Sequence, residues 1–85
     1  MSFEFDPTKD AANLAKHGIS LSRAGDMQVQ ATALDPYPAE PRFRAFGLID
    51  DRAHCLIFTI RNGRRRAISL RRVRSKEYSR YVAGE

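Results

Sequence analysis

Seven arginines lie between positions 61 and 74, and this density is the chemically most informative feature of the sequence. A guanidinium group is a planar fork of donors that can hold a phosphate through two hydrogen bonds, whereas a lysine acts mainly as a point charge. Residues 1–41 carry three basic and six acidic side chains, whereas residues 42–85 carry twelve basic and four acidic ones. Such a concentrated cationic region favours binding of a polyanion, most simply RNA or DNA, over the alternative of a solvated basic surface.

Five side chains are candidates for chemistry on RNA. When the 2′-OH of RNA attacks its own phosphate, the site must supply a base, an acid and cations for the charged phosphorane. Arg61 and Arg71 are the candidate cations, and surface ion pairs are their alternative role. His17 and Lys16 are candidates for proton transfer, although binding to the carbonyl groups at a helix end is favoured for His17. Tyr81 either stacks on a base or donates a proton, unless it is a core aromatic residue.

Two helices are predicted before residue 28. Asp6 is a good N-cap, Pro7 suits the first helical position, and Gly18 suits the left-handed conformation that ends a helix. Ser20 is predicted to cap a second short helix, Leu21 to about Met27.

Strands and a last helix are predicted in the remainder of the chain. Asn62-Gly63 is a strong signal for a two-residue hairpin turn, and Asp50-Asp51-Arg52 is also typical of a turn. Prolines at positions 36, 38 and 41 exclude regular structure directly after the first of the longer strands. Ser75 is predicted to cap a helix through Tyr81. The predicted strands cover residues 3–5, 31–34, 42–49, 56–60 and 65–70.

Alternation along the predicted hairpin assigns side chains to two faces of the sheet. Residues predicted to face the core are Leu56, Phe58, Ile60, Ile68 and Leu70. Those predicted to face outward on the returning strand are Arg65, Ala67, Ser69 and Arg71, and Arg61 would share their face. A register slip of one residue would reverse this assignment. The predicted nucleic-acid contacts are Arg42, Arg44, Arg64, Arg65, Ser69 and Arg72.

Length and composition predict one α+β domain over residues 1–85, without a linker or internal repeat. The single cysteine, Cys55, lies in an apolar run and is predicted to be a buried, unreactive thiol. The scattered histidines and cysteine predict neither a metal site nor a cofactor. No segment approaches the ~20 apolar residues of a membrane span, and the N-terminus lacks the pattern of a signal peptide, so we expect a cytoplasmic location.

The sequence resembles the BrnT-type toxins of bacterial toxin–antitoxin pairs. The matching elements run through nearly the whole chain: Phe3-Glu4-Phe5-Asp6, Lys9, Asn13, Lys16-His17-Gly18-Ile19-Ser20, Ala24, Glu40, Arg42, Gly47, Phe58-Thr59, Arg61, Arg66, Ile68-Ser69, Arg71, Glu77 and Tyr81. The resemblance implies a RelE-like ribonuclease fold, in which two N-terminal helices and a C-terminal helix accompany an antiparallel sheet. The implied arrangement has helices on one face of the sheet and the other face open to RNA.

The resemblance also implies an activity and partners. It implies a metal-independent endoribonuclease that arrests growth, and a cognate antitoxin with a ribbon-helix-helix DNA-binding part. Toxin and antitoxin would form a hetero-oligomer that binds operator DNA through the antitoxin. The alternative is a basic nucleic-acid-binding module that cuts nothing, with a steep salt dependence and little sequence preference. Composition supports both functions equally, and the resemblance favours the enzyme.

Overall fold

Each strand of the sheet pairs with its neighbour in the sequence. The computed structural model describes residues 2–35 and 39–83, and within them the strand order is β1-β2-β3-β4, with every adjacent pair antiparallel. The strands are β1 (Gln28–Asp35), β2 (Arg42–Ile49), β3 (Arg52–Arg61) and β4 (Arg64–Arg72). The helical segments are α1 (Pro7–His17), a 3₁₀ helix (Leu21–Asp26) and α2 (Ser75–Val82).

Local capping residues determine where α1 begins and ends. The Asp6 carboxylate accepts a hydrogen bond from the Thr8 N–H at 2.9 Å, and Pro7 is the first helical residue. Gly18 has a φ of 74° and donates its N–H to the Leu14 carbonyl, which closes the helix. The predicted cap, first residue and end of this helix are therefore confirmed.

The segment after α1 is a 3₁₀ helix, which is tighter and ends one residue earlier than the predicted helix. The Ser20 hydroxyl caps it by accepting from the Ser22 N–H, as predicted. Its six residues include Leu21 and Ala24, three positions apart and both buried against the sheet. A 3₁₀ helix places residues i and i+3 in line, so this short segment can bury both side chains together.

Two hairpin turns set the register of the sheet. The turn residues Asp50, Asp51, Asn62 and Gly63 all have positive φ, between 52° and 75°. Positive φ at both central positions is the type I′ geometry that matches the twist of antiparallel strands. Both predicted turns are confirmed.

The first strand is longer than predicted. β1 covers Gln28–Asp35 rather than residues 31–34, and it contains a bulge between Val29 and Ala31. Because of the bulge, seven of the eight residues of β1 pair with β2 and Gln30 is the extra residue, so the apolar alternation shifts by one position. A pattern of period two does not show this shift. Pro36 and Pro38 lie outside the described residues, and Phe3–Phe5 forms a single bridge, Glu4 to Arg66, rather than a strand.

A second bulge places some side chains of β4 on the face opposite to the one predicted for them. Ala67 pairs with Phe58 and Ser69 pairs with Ile57, so Ile68 is the extra residue between them. Ala67 is therefore buried in the core and Arg65 lies on the core side, opposite Ile60, whereas both were predicted to face outward. Ser69 and Arg71, beyond the bulge, keep the predicted outward facing. The Arg65 guanidinium lies over the ring of Phe3, 5.7 Å from its centroid.

Helical segments cover parts of both faces of the sheet. The first face packs against the 3₁₀ helix and carries the main core, which includes Ala45, Leu56 and Leu70. The second face carries Phe46, whose ring stacks on Tyr81 of α2 with centroids 4.3 Å apart. The prediction that all helices lie on the first face and leave the second face open was therefore wrong. The stacking of these two rings brings α2 onto the second face of the sheet. α2 does begin at Ser75, but the capping residue is Arg74, and Ser75 is not the cap.

Residues from the N-terminal segment occupy the outer edge of β4. The Glu4 N–H donates to the Arg65 carbonyl at 2.9 Å, and the Ala67 N–H donates to the Glu4 carbonyl at 2.8 Å. Asn13 of α1 is buried, and its side-chain amide donates to the Leu70 carbonyl at 2.9 Å while its oxygen accepts from the Leu70 N–H at 3.0 Å. These contacts satisfy backbone groups that an edge strand otherwise exposes.

Candidate nucleic-acid interface

Four arginines on the second face of the sheet each form an ion pair with a carboxylate. Cross-strand pairing places Arg44 opposite Ile57, Arg66 opposite Thr59 and Arg71 opposite Cys55, and Arg61 follows Thr59 on the same face. The pairs are Arg61–Glu40 and Arg71–Glu77, each at 3.1 Å, Arg66–Glu4 at 3.3 Å, and Arg44–Asp35 at 3.4 Å. The predicted cationic face is thus largely charge-compensated.

The Arg61 cluster lies at the end of the sheet that carries the β3–β4 turn. Glu40 accepts from two nitrogens of Arg61, at 3.2 and 3.1 Å, and about half of the Arg61 side chain is exposed. The hydrogen bond from Arg61 lowers the pKa of Glu40, and the charges of Arg42 and Arg66 act in the same direction. Glu40 is therefore an ionised partner for a group of three arginines at neutral pH.

The Arg71 cluster combines three kinds of chemical group. Glu77 accepts from two nitrogens of Arg71, at 3.1 and 3.4 Å, and this pairing raises the pKa of Arg71. Tyr81 follows Glu77 by four residues and so lies on the same side of α2. Both line a cleft of about 500 Å³ together with Arg44, Arg74, Lys76 and Arg80. A cation, a carboxylate and a phenol are therefore grouped at one concave surface.

The Arg61 and Arg71 side chains belong to separate clusters. Arg71 pairs with Cys55, and Arg61 lies six residues further along β3. At ~3.3 Å per residue, the two positions are about 20 Å apart. Both guanidinium groups, each held by its own carboxylate, cannot bind the same phosphate at this separation.

Lys16 and His17 lie on a different element. They are the last two residues of α1, which packs against β4 and the 3₁₀ helix. Within residues 2–35 and 39–83, no hydrogen bond or ion pair joins either of them to Arg61, Arg71 or Tyr81. Their position agrees with the favourable interaction of basic side chains with the C-terminal end of a helix.

The other predicted nucleic-acid contacts are divided between the two faces. Cross-strand pairing assigns Arg42, Arg44, Arg64 and Ser69 to the second face. Arg65 and Arg72 fall on the first face, opposite Ile60 and His54. The register of β4 therefore separates residues that the sequence pattern grouped together.

Glu77 completes the Arg71 cluster and was not among the candidate site residues. A signal for Glu77 was present, because its spacing from Tyr81 places both on one side of a helix. Cys55 is buried, as predicted, and burial raises the pKa of its thiol, which favours an unreactive thiol. Among the described residues, no group of three or more His, Cys, Asp or Glu side chains is placed to hold a metal ion.

Comparison with known families identifies the domain. A family described as "Ribonuclease toxin, BrnT, of type II toxin-antitoxin system" matches residues 5–77. The chain belongs to the BrnT family. The resemblance noted from its motifs is thereby confirmed, and membership implies an antitoxin partner. No helix in the described parts of this BrnT-family chain is long and apolar enough to cross a membrane.

A solved BrnT structure has the same fold. The ribonuclease toxin BrnT of Brucella abortus is 24% identical and superimposes with a TM-score of 0.65 over 88% of this chain and 99% of the other. This likeness supports the small α+β fold with its four-stranded antiparallel sheet. No protein of curated function matches the sequence.

Proposed function

We propose that this BrnT-family chain is an endoribonuclease that needs no metal ion and cuts RNA at the Arg71 cluster. The observation that carries the proposal is that Glu77, the partner of Arg71, lines one cleft with Tyr81, since these three groups can supply a cation, a base and an acid. In the proposed reaction the 2′-oxygen forms a bond to phosphorus and the bond from phosphorus to the 5′-oxygen breaks. The products are a 2′,3′-cyclic phosphate and a 5′-OH.

Each group of the cluster has a role in this reaction. Arg71 binds the non-bridging oxygens of the phosphate and stabilises the negative charge that they gain in the transition state. The guanidinium group thus supplies the positive charge that a metal ion would otherwise provide. Glu77 accepts the proton of the attacking 2′-OH, and Tyr81 donates a proton to the departing 5′-oxygen. Because Glu77 is partly exposed, an incoming phosphate can replace it as a partner of Arg71 at small energetic cost.

The Arg61 cluster is proposed to bind a different phosphate of the same strand. Its distance from Arg71, about 20 Å, places it several nucleotides from the cleaved bond. Arg61 would exchange Glu40 for a phosphate oxygen, and Arg42, Arg44, Arg64 and Ser69 on the same face would add backbone contacts. We assign Lys16 and His17 to the stability of the α1 terminus.

The biological role follows from the family. We infer that RNA cleavage arrests growth and that a cognate antitoxin neutralises the chain in the cytoplasm. We further infer a RelE-like relationship of the fold, and a ribbon-helix-helix part in the antitoxin through which the complex binds operator DNA. Family membership supports each of these inferences.

A cleavage assay in excess EDTA tests the proposal. The full chain and its Arg71→Ala, Glu77→Gln and Tyr81→Phe variants are incubated with a defined RNA, and the fragment ends are identified by mass spectrometry. We expect fragments with 2′,3′-cyclic phosphate ends and a rate lower by about 10²-fold or more in each variant. Tyr81→Phe keeps the ring that stacks on Phe46, so it separates proton donation from packing. Arg52→Ala, an exposed arginine at the other hairpin turn, is the matched control.

Two results would contradict the assignment. Cleavage by Arg71→Ala at the original rate would show that the cluster takes no part in the reaction. RNA that stays intact with isolated chain and with ribosomes, yet is retained in a salt-sensitive complex, would favour the binding module instead.

A further inference from the structure

The basic side chains on and beside α2 differ from four arginines of the sheet in having no acidic partner. Arg44, Arg61, Arg66 and Arg71 of the sheet are each held by a carboxylate. Among the described residues, the exposed side chains of Arg74, Lys76 and Arg80 form no ion pair. We refer to these three as the α2 cation row. At the cleft that these side chains line together with the paired Arg44, the uncompensated positive charge therefore lies on and beside the helix.

The α2 cation row lies beside the proposed cleavage centre. Its three members line the same 500 Å³ cleft as Glu77 and Tyr81. Lys76 and Arg80, one helical turn apart, also line a neighbouring cleft of about 400 Å³ together with Ser75 and Ser79. The two side chains thus form a ridge between two hollows, with serine hydroxyl groups available as further donors.

We infer that the α2 cation row binds the RNA backbone on one side of the cleaved bond. This inference rests on the proposed function, and the ligand is a single-stranded RNA whose successive phosphates contact Lys76 and Arg80. One helical turn is close to the spacing of successive phosphates in an extended single strand, which lets each cation take its own phosphate. The row would supply affinity without base readout, because phosphate contacts carry no sequence information.

The position of the row favours RNA over an acidic protein segment as the ligand. Glu77 connects Arg71 to this cleft, and a strand that passes from Arg71 through the cleft meets the row, whose positive charge is unpaired. Glu77 and Tyr81, in the same cleft, are the carboxylate and the phenol that the proposed cleavage uses. An acidic peptide would use the charge of the row but would have no use for the adjacent phenol and carboxylate.

The test measures binding without cleavage. The ligand is a single-stranded 2′-O-methyl RNA of about 12 nucleotides, which lacks the attacking hydroxyl and stays intact. Its dissociation constant is measured at several salt concentrations for the full chain and for Lys76→Ala/Arg80→Ala. Both substituted side chains are exposed and alanine favours helices, so we expect the double variant to fold normally. Lys9→Ala/Arg52→Ala removes the same charges from exposed positions elsewhere and is the matched control.

The salt dependence gives a quantitative expectation. Each phosphate contact to a single strand contributes about 0.7 to the slope of log affinity against log salt, so the variant should lose about 1.4. Between 50 and 200 mM salt, the affinity of the original chain should then fall about sevenfold further than that of the variant. The control variant should keep the original slope to within about 0.3.

Three outcomes would overturn the inference or separate it from the proposed function. Equal slopes for the double variant and the control would show that the row does not contact phosphates. Tighter binding of poly-glutamate than of RNA, lost in the double variant, would assign the row to an acidic protein. If the original chain fails to cut RNA but the slope changes as expected, the cleavage proposal falls and the α2 cation row stands.

Discussion

Replacing Asn13 by alanine would remove three hydrogen bonds, two of which hold α1 against β4. The Asn13 amide donates to the carbonyl groups of Ile19 and Leu70, and its oxygen accepts from the Leu70 N–H. Leu70 is fully buried, so its N–H and carbonyl would both lose a partner away from bulk solvent. Each such group costs ~1–3 kcal/mol. Ile19 is half-buried and its carbonyl can regain water, so we expect a loss of about 3 kcal/mol in the free energy of unfolding.

That loss is large for a domain of this size. Total stability at ~0.05–0.15 kcal/mol per residue is about 4–13 kcal/mol. At about 4–8 °C per kcal/mol, the midpoint of thermal unfolding should fall by ~12–24 °C. Urea unfolding followed by circular dichroism measures the free energy directly, and Lys9→Ala, exposed one turn earlier on α1, is the control.

The isosteric change Asn13→Asp separates hydrogen bonding from side-chain volume. Its carboxylate can still accept from Leu70 but would direct negative charge at two carbonyl oxygens, so the pKa of the new group should rise on folding. The destabilisation by the aspartate is therefore absent below about pH 4, where its carboxyl group is protonated in both the folded and the unfolded chain, and it grows as the pH rises. A loss below ~1 kcal/mol for Asn13→Ala, or a loss for Asn13→Asp that does not increase between pH 4 and 7, would refute this account of Asn13.

Four further predictions concern three other positions. A Cβ on Gly47 would overlap the Gln28 carbonyl oxygen and lie 2.8 Å from the Met27 Cγ. Gly47→Ala should therefore lower the free energy of unfolding, measured in urea, by about 1–3 kcal/mol. Unchanged stability would mean that β1 can shift away from the added methyl group. Cys55 should react with iodoacetamide about a thousandfold or more slowly in the folded chain than in urea, because the buried thiol is reached only on unfolding. Burial raises the pKa of this thiol, so stability should fall above about pH 9, where the unfolded chain ionises first; a Cys55→Ala variant should lose that decline. Because the pKa of Glu40 is lowered in the folded chain, its ionised carboxylate stabilises the fold above pH about 4.5, the ordinary pKa, and this stability is lost as the pH falls through the folded pKa. Glu40→Gln should remove this part of the acid dependence of stability. A pH profile identical to that of the original chain would contradict the Arg61 pairing.

Local signals in the sequence predicted the elements whose geometry depends on a few adjacent residues. The boundaries of α1 follow from Asp6 and Gly18, and the β3–β4 turn follows from Asn62-Gly63, because each residue type satisfies a backbone requirement at its own position. The family was also recognisable, since its motifs keep their order through nearly the whole chain.

The two bulges had no local signal. Ile68 is an ordinary strand residue by type, and nothing in its neighbours shows that it has no cross-strand partner. Its insertion alone moves Arg65 away from the face of Arg71, which is why a pattern of period two grouped the wrong arginines. The covering of the second face by α2 was equally hidden, because it depends on the stacking of Tyr81 on Phe46, 35 positions apart in the sequence.

The way in which β4 is secured has a consequence for synthesis of the chain. All pairing within the sheet is between strands adjacent in the sequence, so the three hairpins can form as they leave the ribosome. The contacts of Glu4 and Asn13 with β4 instead span 62 and 57 residues. Glu4 and Asn13 must therefore wait for β4, for several seconds at ~5–20 residues per second. Until β4 emerges, Glu4 and Asn13 have no edge strand to bind, so the domain is complete only after β4 has left the ribosome.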